Sequence, residues 1–242
     1  MAQLKPRNKN IDVIILAGGK GERLKSVISD KPKVLAEISG RPFIDFILDN
    51  LFQNGFERII LSVGYLKNQI IEHIKKNYSD KKIEFSEEDS PLGTGGAMKL
   101  ATKLVKTNPF LVVNGDSIIP INFENFLNFH KKNNGAISIA IAKPREEKDY
   151  GAVDLDSSNR IVNYNEKSKK GGSFASAGVY LINQEATSHF PESEAFSAEN
   201  DFFPRVIDRG CYGFICEGDL IDIGTPERLE KANQFFRNSR SA

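Results

Sequence analysis

Apolar residues fall into short blocks whose spacing changes along the chain. Val13-Ile14-Ile15-Leu16 is a continuous run that breaks at once into Gly18-Gly19-Lys20-Gly21, the pattern of a strand buried on both faces and ended by a glycine loop. Phe43, Ile44, Ile47, Leu48, Leu51 and Phe52 recur at helical spacing and stop at Asn54-Gly55, a helix terminus. The alternation continues with a strand at 58–63, a helix at 67–76, a strand at 83–86, a helix at 94–106 and a strand at 110–114. Strand and helix taking turns is the signature of βαβ units, so an α/β architecture with a mostly parallel sheet flanked by helices is predicted. After a helix at 123–132 the rhythm changes to strands with turn signals at 136–142, 151–155, 160–164 and 175–182, a smaller region richer in antiparallel sheet. A helix at 198–208, a strand at 212–216 and a helix at 226–237 close the pattern, and 167–173 reads as a loop.

Composition narrows the function classes. With 33 Lys+Arg against 32 Asp+Glu the formal charge is +1, so no global field holds nucleic acid or an anionic membrane, and any anion needs a local site. The apolar run 11–17 is short and contains Asp12, whereas a membrane span needs about 20 apolar residues. Cys211 and Cys216 show neither a disulfide framework nor a metal-ligand pattern and read as core residues of a reducing cytoplasm, the expected location. The 17 Phe with no Trp read as core, and His73, His130 and His189 lie in no motif.

Four stretches carry candidate chemistry. In Leu16-Ala17-Gly18-Gly19-Lys20-Gly21-Glu22-Arg23-Leu24 the glycines let backbone amides approach an anion while Lys20 and Arg23 bring positive charge. The alternative is a tight turn: no Lys-Ser or Lys-Thr follows the glycines, and the third glycine of a dinucleotide fingerprint is missing. Lys31-Pro32-Lys33 follows, with the proline keeping Lys31 extended, which suits a side chain reaching back over the loop. Pro91-Leu92-Gly93-Thr94-Gly95-Gly96, behind Glu87-Glu88-Asp89, exposes backbone groups able to read a base edge, with Thr94 as a helix cap; a glycine-rich helix start is the competing reading. Asn114-Gly115-Asp116 follows an apolar strand, where ligands gather in open α/β sheets, and Asp222 precedes the turn Ile223-Gly224-Thr225-Pro226. Two aspartates at strand ends suit Mg²⁺, which takes one or two carboxylates and completes its shell with substrate phosphates and water.

Together, from about Ile11 to Phe236, these motifs resemble the sugar-phosphate nucleotidylyltransferases, and among short members most resemble the D-glycero-α-D-manno-heptose 1-phosphate guanylyltransferases. That resemblance implies a Rossmann-like mixed sheet in one nucleotidyltransferase domain over 1–242: a nucleotide half at 11–135, a sugar-phosphate half at 136–224 and a terminal helix at 225–242. It implies nucleotide contacts from Leu16, Ala17, Gly18, Gly19, Gly21, Glu22, Arg23 and Lys33, from Glu88, Pro91, Leu92, Gly93 and Thr94, and from Asn114 and Gly115. Tyr150, Gly151, Glu166, Lys167, Ser176 and Gly178 look like the sugar-phosphate site, and Asp116 and Asp222 like the Mg²⁺ ligands. Catalysis would then rest on Arg23, Lys33, Asp116, Lys167 and Asp222, joining GTP to a sugar 1-phosphate with release of pyrophosphate. Glu22 stands where most relatives have Thr, and Ser176 where many have Asn. Related uridylyltransferases and mannose-1-phosphate guanylyltransferases share much of the pattern. A glycosyltransferase would need an Asp-x-Asp pair after a buried strand, but Asp154-Leu155-Asp156 falls at a hairpin. A non-catalytic sugar-nucleotide sensor would have less need of both aspartates.

Overall fold

The computed structural model describes residues 10–143, 151–165 and 174–240. Its strands are β1 (Val13–Leu16), β2 (Glu37–Ile38), β3 (Arg41–Pro42), β4 (Arg58–Val63), β5 (Lys82–Glu87), β6 (Phe110–Asn114), β7 (Ser117–Ile118), β8 (Ile137–Ala142), β9 (Ala152–Leu155), β10 (Ile161–Asn165), β11 (Phe174–Ile182), β12 (Cys211–Ile215) and β13 (Ile221–Asp222). Its α-helices are α1 (Phe43–Gln53), α2 (Lys67–Asn77), α3 (Gly93–Thr102), α4 (Phe123–Asn133), α5 (Phe203–Val206) and α6 (Pro226–Arg240).

Four strands run parallel in the order β6-β1-β4-β5. The chain leaves β1 toward β4 and β5, then returns to the opposite side of β1 as β6. This reversal opens a crevice beyond the carboxyl ends of β1 and β6, the usual ligand position in such sheets. β11 pairs antiparallel with β6, β9 and β10 continue the order beyond it, and β8 pairs with both β11 and β12. The antiparallel strands therefore extend the parallel sheet, giving nine strands among the described residues. Two short ribbons, β2 with β3 and β7 with β13, stand apart from it.

The continuous apolar runs mark strands covered on both faces. Val13 and Ile15 pack with Ile44, Leu48 and Phe123 on one side, while Ile14 packs with Met98, Phe110 and Phe203 on the other. Each such fully buried aliphatic side chain contributes about 1.5–3 kcal/mol relative to exposure. At the edge of this core Asp12, 4% exposed, accepts hydrogen bonds from Arg58 Nη1 and the Lys106 amide, both at 2.6 Å.

Two predicted helices differ. The 94–106 helix stops at Thr102, because the Leu104 carbonyl accepts from Arg58 Nη2 and the Lys106 amide donates to Asp12 instead of continuing the helical ladder. The 198–208 helix is three short turns: a π-turn Ala198–Phe202, α5, and a 3₁₀ turn Ile207–Arg209. Pro204 has no N–H to bond back to the preceding turn, so it sits in the first turn of α5. No helix among the described residues is long and apolar enough to cross a membrane.

Candidate active site

The crevice beyond β1 and β6 holds two cavities that share Thr94, Asn114 and Asp116 in their walls. The smaller, about 270 Å³, lies over the glycine loop. Of the residues expected to bind nucleotide, Leu16, Ala17, Gly18, Gly19, Lys33, Glu88, Pro91, Gly93, Thr94 and Asn114 line it, together with Lys20, Val34 and Ala97. Gly21, Glu22, Leu92 and Gly115 lie outside both linings. Glu22 is exposed and paired with Lys25 at 2.7 Å, and that hydrogen bond holds its carboxyl below the usual range. The Gly115 amide donates to the Leu16 carbonyl at 2.9 Å, fastening the end of β6 to β1.

Glu88 closes one wall of this cavity. Its carboxylate is wedged against backbone: a Cβ on Gly64 would stand 2.2 Å from Glu88 Oε1, so only glycine leaves room for it. Oε2 accepts from the Leu92 amide at 3.3 Å, and no described cation forms an ion pair with Glu88. Burial, only partly offset by the Leu92 amide, pushes this carboxyl above its ordinary 4.5. A carboxylate desolvated without a cation and facing a cavity is an acceptor awaiting a donor.

The glycine-rich segment works differently from the sequence reading. Thr94 is not the N-cap of α3; Leu92 is, with no side-chain cap. The Thr94 hydroxyl donates to Glu199 Oε2 at 2.5 Å and accepts from the Ala198 amide at 2.9 Å. Gly95 and Gly96 both donate their amides to the Phe196 carbonyl, at 3.0 and 3.2 Å, so these two glycines serve close packing against 194–198.

The larger cavity, about 450 Å³, opens on the other side of Asp116. Gly151, Ser176 and Gly178, expected at the sugar-phosphate site, line it together with Asp222, expected as a metal ligand, and Arg23, expected to contact the triphosphate. Tyr150, Glu166 and Lys167 lie outside the described residues. Gly178 has φ +73°, and a Cβ there would stand 2.8 Å from both Asn114 Nδ2 and Ser117 Oγ, so the bulge in β11 depends on glycine. Tyr180, which closes the Ala177-Gly178-Val179-Tyr180 run of the sugar half, also lines this cavity, as do Tyr164, Ser197, Glu199 and Arg228, which sequence reasoning did not find. The Tyr180 hydroxyl lies 3.4 Å from Ser176 Oγ, and complete burial raises its pKa.

Asp116 and Asp222 are brought together by the β7–β13 ribbon. Asp222 pairs across from Ser117, and the Ile223 amide donates to the Asp116 carbonyl at 3.0 Å. Each carboxylate meets a cation of the chain: Asp116 Oδ2 lies 2.5 Å from Lys33 Nζ, and Asp222 Oδ1 lies 3.3 Å from Arg228 Nη1. Asp222 Oδ1 also accepts from the Gly224 amide at 2.9 Å. Arg228 had one legible oddity, a cation in the first turn of a helix, where the dipole disfavours positive charge. Lys31, expected over the loop, pairs with exposed Glu37 at 3.1 Å; Lys33 is the lysine that reaches inward.

Two facts bear on a bound cation. No cluster of three or more His, Cys, Asp and Glu gathers among the described residues, so an ion here would depend on substrate oxygens. Asn114 Oδ1 is buried with no hydrogen-bond partner, on a side chain that lines both cavities. An orphaned acceptor beside two carboxylates fits a hard divalent ion with oxygen ligands. The histidines stay structural: His130 is buried between Ser138 Oγ and Asn183 Oδ1, and His73 meets Asp45 at 2.7 Å. Burial pushes both cysteine thiols up to about 12, in keeping with inert core positions.

Comparison with known proteins agrees with this geometry. The nucleotidyl transferase family profile matches residues 12–239. The chain is 32% identical over 229 residues to the D-glycero-alpha-D-manno-heptose 1-phosphate guanylyltransferase of Aneurinibacillus thermoaerophilus, covering 94% of this chain and 99% of that protein. It is 35% identical over 220 residues to the enzyme of the same name from Campylobacter jejuni, covering 90% and 96%. Among solved structures, HddC from Yersinia pseudotuberculosis complexed with GMP-PN superposes with a TM-score of 0.83 at 34% identity, over 93% of this chain and 99% of that one.

Proposed function

The chain belongs to the nucleotidyl transferase family, and on that footing we propose that it joins GTP to D-glycero-α-D-manno-heptose 1-phosphate, giving GDP-heptose and pyrophosphate. The observation that carries the choice of base is Glu88. Guanine presents N1–H and an exocyclic amine, both donors, which suit a desolvated carboxylate that lacks a cation. Adenine has an amine donor but an acceptor at N1, so it would set N1 against one Glu88 oxygen where guanine brings a donor, at a cost of about 1–3 kcal/mol. Uracil could offer N3–H but would fill the cavity less. The names of the relatives support the same base and sugar.

The reaction needs no protein nucleophile. An oxygen of the sugar phosphate attacks the α-phosphorus, and the bond from that phosphorus to the departing pyrophosphate oxygen breaks. The chain supplies position and countercharge. Lys33 neutralises the triphosphate from the smaller cavity, and Arg23 brings a second positive charge from the wall of the larger one. The backbone of residues 18–20 lines the smaller cavity, where its amides can approach the phosphates. Glu199, Ser176 and Tyr180 orient the sugar, and Lys167 would draw its phosphate toward the α-phosphorus. Asp116 and Asp222 would hold Mg²⁺, which when bound offsets the charge that builds on the transferred group.

The test is a matrix of four nucleoside triphosphates against heptose 1-phosphate, mannose 1-phosphate and N-acetylmuramate 1-phosphate, read by pyrophosphate release. The highest kcat/KM is expected for GTP with the heptose. A preference for UTP on every sugar would overturn the guanylyl assignment, and no release from any pair would overturn transfer itself. Asp222→Asn should still fold, with a lowered Tm because buried Arg228 loses its carboxylate partner, yet lose most turnover at limiting Mg²⁺; retained activity there would remove Asp222 from the metal pair.

A further inference from the structure

Lys33 occupies a place that a metal ion would also claim. Its ammonium lies 2.5 Å from Asp116 Oδ2, and its side chain is only 12% exposed while that of Asp116 is 41% exposed. The lysine stem runs under the glycine loop, where a Cβ on Gly21 would stand 3.1 Å from Lys33 Cβ, so Lys33 has one wall of the nucleotide cavity behind it. Asp222 is matched by Arg228 in the same way, its side chain 9% exposed, with the Arg228 amide donating to the Thr225 hydroxyl at the start of α6. Of the two cations, Lys33 lines the smaller cavity, where a triphosphate would arrive, and Arg228 lines only the larger one.

We propose that Lys33 is a resident counter-ion of Asp116 that holds the carboxylate against divalent ions until a triphosphate draws the ammonium away. The inference rests on the reading of Asp116 and Asp222 as metal ligands. An ammonium and a divalent ion on one carboxylate repel each other, so each weakens the other's hold unless Lys33 moves. A triphosphate gives Lys33 a more highly charged partner than a single carboxylate and frees Asp116 in the same motion. Nucleotide and metal then favour each other by more than their direct contact, and the linkage is reciprocal. The consequence is a site that binds free metal weakly and assembles only around a nucleotide. Lys33 serves twice, first as lock and then as phosphate ligand.

The test uses Mn²⁺ as probe, with free ion followed by electron paramagnetic resonance in the nucleotide-free chain of 242 residues. Losing a part-exposed ion pair corresponds to a change of up to about fivefold, so Lys33→Met and Lys33→Gln should bind Mn²⁺ about two- to fivefold more tightly than the parent. Lys20→Gln removes a neighbouring charge of the same cavity that makes no contact with Asp116 and should change little. Asp116→Asn should weaken binding in either background. Unchanged or weaker binding in both Lys33 variants overturns the proposal, as does an equal gain in Lys20→Gln, which would reduce the effect to general field. Binding indifferent to Asp116→Asn overturns the metal assignment and this inference with it. A second measurement needs no variant: acylation of the Lys33 amine, read by mass spectrometry, should accelerate when Mn²⁺ saturates the parent protein, and an unchanged rate overturns the proposal. If no substrate pair releases pyrophosphate but the Lys33 variants bind Mn²⁺ more tightly, the substrate assignment fails and the lock stands.

Discussion

Glu88 is held where its charge is costly, and its behaviour with pH follows from that. Burial raises its folded-state pKa above 4.5, so the folded protein binds more protons than the unfolded chain between 4.5 and the raised value. Stability contributed by this residue is therefore lost as pH rises through that window, and Glu88→Gln should melt higher than the parent at neutral pH, with the gap closing toward pH 4.5. The same change should cost GTP use about tenfold or more in kcat/KM, because the glutamine offers donors where guanine brings its own. Only the ionised carboxylate accepts both guanine donors, so the parent's KM for GTP should rise as pH falls into the window. A flat KM profile would detach Glu88 from the base. The sequence placed Glu88 near the base but not its state, because desolvation by Gly18 and Gly64 is a property of packing between separate segments.

Among the elements, β11 and the β7–β13 ribbon decide whether the chemistry is assembled. Gly178→Ala would force an L side chain into φ +73° and set its Cβ 2.8 Å from Asn114 and Ser117. The backbone strain alone is about 1–2 kcal/mol, so a lowered Tm and a large loss of turnover are expected. Gly19→Ala is the contrasting case, since its Cβ would meet nothing within 4 Å, and its Tm should be unchanged. Equal melting of the two variants would show that the bulge tolerates relaxation. The long strands and helices were legible because continuous apolar runs and helical spacing are local signals. β7 and β13 are two residues each, too short to leave a period, and only their pairing puts Asp116 beside Asp222. The 198–208 segment misled because its apolar spacing was helical while Pro204 broke the ladder from within.

At the scale of the whole molecule, Thr94 joins the two cavities. It lines both, and its hydroxyl links the nucleotide side to Glu199 of the larger cavity. Thr94→Val would leave Glu199 without that donor, so both KM values should rise, for triphosphate and for sugar phosphate alike; a change confined to the triphosphate would uncouple the spaces. By itself the sequence determined the α/β alternation, the glycine loop, the two aspartates and the family they resemble, because each is written in adjacent residues or in the order of motifs. The tertiary structure decided that Lys33 pairs with Asp116, that Thr94 binds Glu199 and does not cap a helix, and that Arg228 partners Asp222. Those contacts join residues 83, 105 and 6 positions apart. The first two span many elements, and the third depends on how α6 turns back onto β13. Such pairings are set by which strands lie side by side and by which charges burial leaves with one available partner, and no local pattern in the chain encodes either.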